Sequence, residues 1–148
     1  MAESTKGPTA IHGRRLQVAV VTPERAVLEQ PADSVVVPLF DGELGILPGR
    51  APLIGRLGIG ELRIRRGEQL MRLYVDGGFV QVRGDMVTVL TSSAQTAEEI
   101  QLAEAETALQ QATRARAVTD QQLAERDKAQ RRARAKIRVA RRKASRLG

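Results

Sequence analysis

Glycine and proline are confined to one part of this 148-residue chain. All six prolines (8, 23, 31, 38, 48 and 52) precede Leu53, and every glycine except Gly148 falls at or before Gly84, so Asp85 to Leu147 contains neither. Both residues punctuate strands and turns, and both are poorly tolerated inside helices. The distribution predicts a β-rich first half followed by a helical second half.

The first half reads as a series of short strands. Leu16 to Val20 alternates apolar with smaller or polar residues and stops at Pro23, with Arg25 to Leu28 as a short partner before Pro31. The later runs are Ser34 to Phe40, Glu43 to Leu47, Leu53 to Leu57, Glu61 to Arg65, Gln69 to Val75, Phe79 to Val82 and Met86 to Leu90. Turn residues recur about every ten positions, the spacing of an antiparallel sandwich or barrel. Pro38 within the valine run predicts an edge position or a bulge.

In the second half the period changes. Ser93 and Thr96 offer a helix start, and Ala97 to Arg116 is rich in strong helix formers. The pattern weakens at Ala117 to Asp120, where Thr119 and Gln122 have the spacing of a capping box. The reading is two helices in a hairpin, with one long helix as the alternative. Ala129, Ala133, Ile137, Ala140, Ala144 and Leu147 fall three and four apart and form one narrow stripe of mostly small side chains. The segments are thus a disordered tail at 1–13, a β-sandwich at 14–92 and a two-helix domain at 93–148.

Charge divides along the same line. Residues 1–92 hold 11 basic and 10 acidic side chains, a net of +1, whereas 93–148 hold 13 and 7, a net of +6. No acid follows Asp127, while nine cations lie between Arg131 and Arg146. That exceeds what complementing a helix C-terminus requires. A solvated face, an acidic protein partner and a nucleic acid are the three readings. The helices carry no aromatic residue for base stacking and no heptad zipper, which favours the acidic protein.

Several chemistries lack their residues. The chain has no cysteine, hence no disulfide, thiolate nucleophile or cysteine-based metal site. Its single histidine, His12, sits alone in the N-terminal tail. The tail has no signal-peptide pattern, and no run approaches the ~18 apolar residues of a membrane span. The stretch Asp41 to Pro52, "DGELGILPGRAP", has the glycines of a phosphate loop but no Lys, Ser or Thr. Gly55, Gly58 and Gly60 lack dinucleotide spacing, and Arg83-Gly84-Asp85 in a turn is a chance tripeptide. Asp41 and Glu43 read as turn and surface residues rather than an acid–base pair. Catalysis by this chain, a metal and a cofactor are not expected.

Three ordered motifs carry a resemblance: "VVTPERAVL" at 20–28, "DGELGILPGRAPL" at 41–53 and "VDGGFVQVRGDMVTVLTSSA" at 75–94. Together, from about Leu16 to Ala112, they resemble the ε subunit of bacterial F-type ATP synthases, called δ in mitochondria. The resemblance implies an all-β sandwich of about ten strands followed by a C-terminal α-helical hairpin. It implies a non-catalytic rotor subunit of the central stalk, peripheral on the cytoplasmic face of the bacterial inner membrane. The implied partners are the γ subunit and the c-ring, with the catalytic β subunit joining when the hairpin extends and its ATP hydrolysis is impeded. Glu43 would lie near a cationic c-ring loop and Arg50, where many members carry His, at the γ and c-ring junction. Arg126, Lys128, Arg131, Arg132 and Arg134 are the candidates for the acidic β-subunit segment. Some members bind ATP through an Ile/Leu-Asp-x-x-Arg-Ala motif, and the matching stretch here is Ile100 to Ala105. Gln101 replaces the Asp and Glu104 the Arg, so weak or no ATP binding is expected. The alternative function is a nucleic-acid-binding β domain with a basic helical arm.

Overall fold

The computed structural model describes residues 14–145. The tail at 1–13 lies outside them. Eight strands come first: β1 (Leu16–Val21), β2 (Ala26–Ala32), β3 (Ser34–Leu39), β4 (Gly42–Ile46), β5 (Leu53–Arg66), β6 (Gln69–Arg83), β7 (Met86–Leu90) and β8 (Ala94–Thr96). Two helices follow, α1 (Leu102–Arg114) and α2 (Asp120–Ser145). The strand order is β2-β1-β7-β6-β5-β3-β4, with β8 added to β6. Every pairing is antiparallel except β1 with β7.

The central element is the β5–β6 ribbon, in continuous register from Leu53↔Val82 to Arg66↔Gln69. Runs that look separate in the sequence, 53–57 with 61–65 and 69–75 with 79–82, are each one strand. The sandwich for which the resemblance implies about ten strands is therefore made by eight, because two of them serve both halves. The buried parity inverts midway along each: Leu57 gives way to Leu62 and Ile64, and Leu73 and Val75 give way to Val80 and Val82. Since successive strand side chains face opposite sides, the ribbon turns one face inward over half its length and the other face over the rest.

Gly78 sits at this crossover with φ +104°, where a Cβ would lie 1.9 Å from the Leu90 carbonyl oxygen. No L side chain fits there. Pro38 occupies an irregularity between Val36 and Leu39 in the β3–β5 pairing, the bulge its sequence context predicts. Pro31 is accommodated in β2 because that strand ends the sheet order. The interior is wholly aliphatic, with Val18, Val20, Val35, Val37, Val80, Val87 and Val89 fully buried. β-Branched side chains pack well on a pleated surface, so a sandwich interior without aromatic residues is feasible, with Tyr74 buried in a separate cluster.

The helical half begins later than its sequence suggests. Thr96 and Glu99 close a capping box on a single 3-10 turn at Ala97–Glu99, and extended Ile100 then breaks the helix before α1. The break turns Ile100, 8% exposed, into a cluster with Tyr74, Ala97, Ala135 and Val139. The second cap forms as the spacing predicts: the Gln122 amide donates to Thr119 Oγ1 at 3.1 Å, and the Thr119 amide to Gln122 Oε1 at 3.2 Å.

α2 buries two stripes rather than one. Ala133 and Ile137, from the stripe read in the sequence, are buried, but Ala129 is exposed, and Ala144 and Leu147 lie outside the described side chains. The second stripe, Ala135 and Val139, packs on Tyr74 and Ile59 of the ribbon. At about 25 cal/mol per Å2, one valine and neighbouring alanines contribute roughly 3 kcal/mol. The hairpin lies on the sandwich with little apolar adhesion.

Gly78→Ala is expected to destabilise the chain by at least about 3 kcal/mol, from backbone strain and the carbonyl clash. Gly84→Ala, with φ +61° and no atom within 4 Å of the added Cβ, is expected to cost about 1 kcal/mol. Urea unfolding of both variants measures the difference.

Candidate interaction surfaces

The stretch Asp41 to Pro52 is a strand and a turn. Gly42–Ile46 forms β4 at the sheet's end, and the chain then loops from Leu47 to Pro52 into β5. Glu43 is exposed on β4 and binds the Arg63 guanidinium through both oxygens, at 3.2 and 3.3 Å. Its hydrogen bond is the first cause raising the Arg63 pKa above its ordinary value. Arg50 is exposed at the tip of the loop, where its amide donates to the Leu47 carbonyl at 3.3 Å. Nothing brings Glu43 and Arg50 together, so each would act alone.

A residue that sequence reasoning dismissed holds this loop. Asp85, the last of the Arg-Gly-Asp tripeptide, accepts the Gly49 amide at 3.1 Å and two Arg14 nitrogens at 2.8 and 3.2 Å. These bonds, led by Arg14 and then Gly49, pull its pKa below the usual carboxylate value. A similar clamp joins Asp33 to the Gly67 amide at 2.6 Å and to Arg15 at 3.0 Å, and the Gly67 amide is the main cause of its lowered pKa.

Beside the loop runs an exposed apolar row that the sequence reading missed. Leu90 pairs with Phe79, Phe79 with Arg56, and the Phe40 amide bonds the Arg56 carbonyl at 2.8 Å. Phe40 is 66% exposed, Phe79 54% and Leu90 47%, with Ile54 at 73% two residues before Arg56. The Arg56 guanidinium lies 4.5 Å from the Phe40 ring centroid. The sequence does contain a sign of it. Leu53-Ile54, Phe79-Val80 and Val89-Leu90 are adjacent apolar pairs within strands, and one member of each must face outward.

The five hairpin cations do not share one face. Arg132 turns to the sandwich, where Nε meets Asp76 at 2.8 Å. Arg126 reaches back to the Ala115 carbonyl at 3.4 Å, and Arg131 pairs with Asp127 along its own helix at 3.0 Å. Lys128 and Arg134 are exposed. Arg142, beyond the predicted set, meets Glu61 at 2.9 Å, and Glu61 is only 2% exposed. Gln101 and Glu104 line a cleft between the helices together with Gln95, Glu99, Arg132 and Lys136. Glu104 thus places an anion in a cleft that Arg132 and Lys136 also line.

Apolar side chains held out on a rigid sheet, beside a cationic hairpin, are the surfaces of an assembly component. Residues 15–97 match the family described as the ATP synthase delta/epsilon chain, beta-sandwich domain. The ATP synthase epsilon chain of Rhodopirellula baltica is 45% identical over 126 residues, covering 85% of this chain and 98% of the relative. That of Synechococcus elongatus is 43% identical over 97 residues, 66% of this chain and 71% of the relative. A chain in a mitochondrial ATP synthase structure from Euglena gracilis shares the fold at TM-score 0.73 and 19% identity, covering 82% of this chain and 78% of its own length. One in the central stalk and c-ring of the Tetrahymena thermophila enzyme does so at 0.65 and 14%, covering 86% and 97%. The chain belongs to the delta/epsilon chain family of ATP synthases.

The two clamps have a defined pH response. A carboxylate with a depressed folded-state pKa contributes stability above its unfolded value, about 3.9, and loses it as pH falls through the lower folded value. In an NMR titration, the Gly49 and Gly67 amide resonances are expected to move with midpoints below about 3.9. In Asp85→Asn, Gly49 is expected to stop titrating while Gly67 is unchanged.

Proposed function

We infer that the chain is a non-catalytic central-stalk subunit of an F-type proton-translocating ATP synthase, linking the γ subunit to the c-ring. The observation that carries this reading is the family match across the whole sandwich, and the exposed row of Phe40, Phe79 and Leu90 supplies the contact. Aromatic and aliphatic side chains fixed on a sheet lose little conformational freedom on docking and dominate the energetics of such interfaces. The row engages γ. Glu43, on the adjoining strand, meets a cationic c-ring loop, and Arg50, on the loop that follows, sits at the γ and c-ring junction. Arg50 keeps its charge at any physiological pH, so this contact does not titrate as a histidine would.

The subunit reaches the cytoplasmic face of the membrane through the complex. No helix among the described residues is long and apolar enough to cross a bilayer. When the hairpin lifts, Arg126, Lys128, Arg131, Arg132 and Arg134 face an acidic segment of the catalytic β subunit and slow ATP hydrolysis. The nucleic-acid reading is not favoured, since the family match accounts for the sandwich without it.

The sequence boundary at 93 falls before β8, so the deletion that removes only the helices is 101–148. In the assembled complex it is expected to leave γ binding intact and raise ATPase activity, and unchanged activity would remove the inhibitory part alone. Phe79→Asp is expected to weaken γ binding at least tenfold without unfolding the sandwich, because the side chain is already in solvent. Equal binding would move the docking surface elsewhere. Calorimetry of the full chain with ATP is expected to show no micromolar affinity.

A further inference from the structure

The outward face of the ribbon beneath α2 presents two carboxylates, and each meets an arginine of the helix. Asp76 is held rigidly: its amide donates to Thr91 Oγ1 at 3.0 Å, and its carbonyl accepts Ser92 Oγ at 2.7 Å. Its carboxylate accepts the Tyr74 hydroxyl at 3.1 Å and Arg132 Nε at 2.8 Å, and is 13% exposed. Burial first, and then the Asp76 charge, push the Tyr74 pKa up, so the phenol stays protonated and keeps donating. Lys136 rests 5.2 Å from the same ring. Ten residues along α2, about 15 Å at 1.5 Å per residue, Arg142 meets Glu61.

The two anchors differ. Glu61 also accepts Arg63 and Arg72, both at 3.2 Å, from within the ribbon. It stays partnered when the hairpin leaves. Asp76 has no second cation among its hydrogen bonds, so losing Arg132 leaves its carboxylate with the Tyr74 hydroxyl alone. The apolar contact between the anchors is thin, limited on α2 to Ala135, Val139 and part of Ala140.

We propose that Asp76, assisted by Glu61, is an internal acidic dock that holds the hairpin on the sandwich and competes for Arg132 with the acidic partner. This rests on the hairpin reading given above. The hairpin cannot present Arg132 to another acidic surface while Asp76 holds it, so docking and partner binding exclude one another. Because the anchors are partly exposed ion pairs, salt screens them and releases the hairpin. With Gln101 and Glu104 at the start of its first helix, the chain regulates this equilibrium by charge rather than by ATP.

The test uses the full-length chain, which has no native cysteine, with dyes at Gln81→Cys on the sandwich and Gln110→Cys on α1. Energy transfer is read from 50 to 500 mM KCl, with and without ATP. Transfer is expected to fall with salt and to ignore ATP. Asp76→Asn and Arg132→Gln are each expected to shift the docked-to-released ratio about fivefold toward release, and the double variant to match either single one, as coupled residues do. Arg138→Gln, an exposed cation, serves as the control and leaves the ratio unchanged. Circular dichroism confirms that every variant is folded. Transfer that ignores both salt and Asp76→Asn overturns the dock, as does additivity in the double variant or closure by ATP. If release occurs as described but the ATPase of the assembled complex does not change, the dock stands and the inhibitory reading falls.

Discussion

The pairing of β5 with β6 is the constraint on which the rest of the molecule depends. It supplies the middle of the sheet, it passes from one half of the sandwich to the other, and its outward faces carry both surfaces of interest. Over one half that face exposes Phe79, Arg56 and Ile54; over the other it carries Glu61, Tyr74 and Asp76 beneath α2. The inversion between the halves needs Gly78, because the Leu90 carbonyl occupies the place of a side chain. A single backbone crossover thus decides which residues stand exposed and which lie beneath the hairpin.

The two halves of the chain are held by different forces. The sandwich closes over an aliphatic interior of fully buried valines, leucines and isoleucines, where area burial dominates. The hairpin rests on alanines and one valine, supplemented by arginine–carboxylate pairs at partly exposed positions. Such pairs are weak individually and dependent on ionic conditions. A rigid platform with a loosely held arm follows from this division, without any flexible linker being required.

Much of this was legible in the sequence, and the losses have physical causes. The boundary between sheet and helices followed from the placement of glycine and proline, and the Thr119–Gln122 cap from its spacing. The strand count was overestimated because Gly58, Gly60, Gly77 and Gly78 look like turns yet lie inside strands that bend between layers. The stripe on α2 was read as single because Ala135 and Val139 sit among arginines; their burial depends on a tertiary neighbour that periodicity cannot see. Asp85 was set aside as part of a chance tripeptide, since its partners Arg14 and Gly49 are distant in sequence. The placing of Arg132 and Arg142 against Asp76 and Glu61 was likewise invisible, because a run of cations looks the same whether it faces water or a carboxylate.

The position of Tyr74 has an optical consequence. The chain contains one tyrosine and no tryptophan, so ultraviolet emission excited beyond the phenylalanine absorption band originates at a single ring. That ring lies at the contact between ribbon and helix, buried, with its hydroxyl on a carboxylate and an ammonium over its face. In the released state proposed above, the ring would lose that ammonium and gain water. The unlabelled protein therefore carries its own fluorescent gauge of whether the arm is seated.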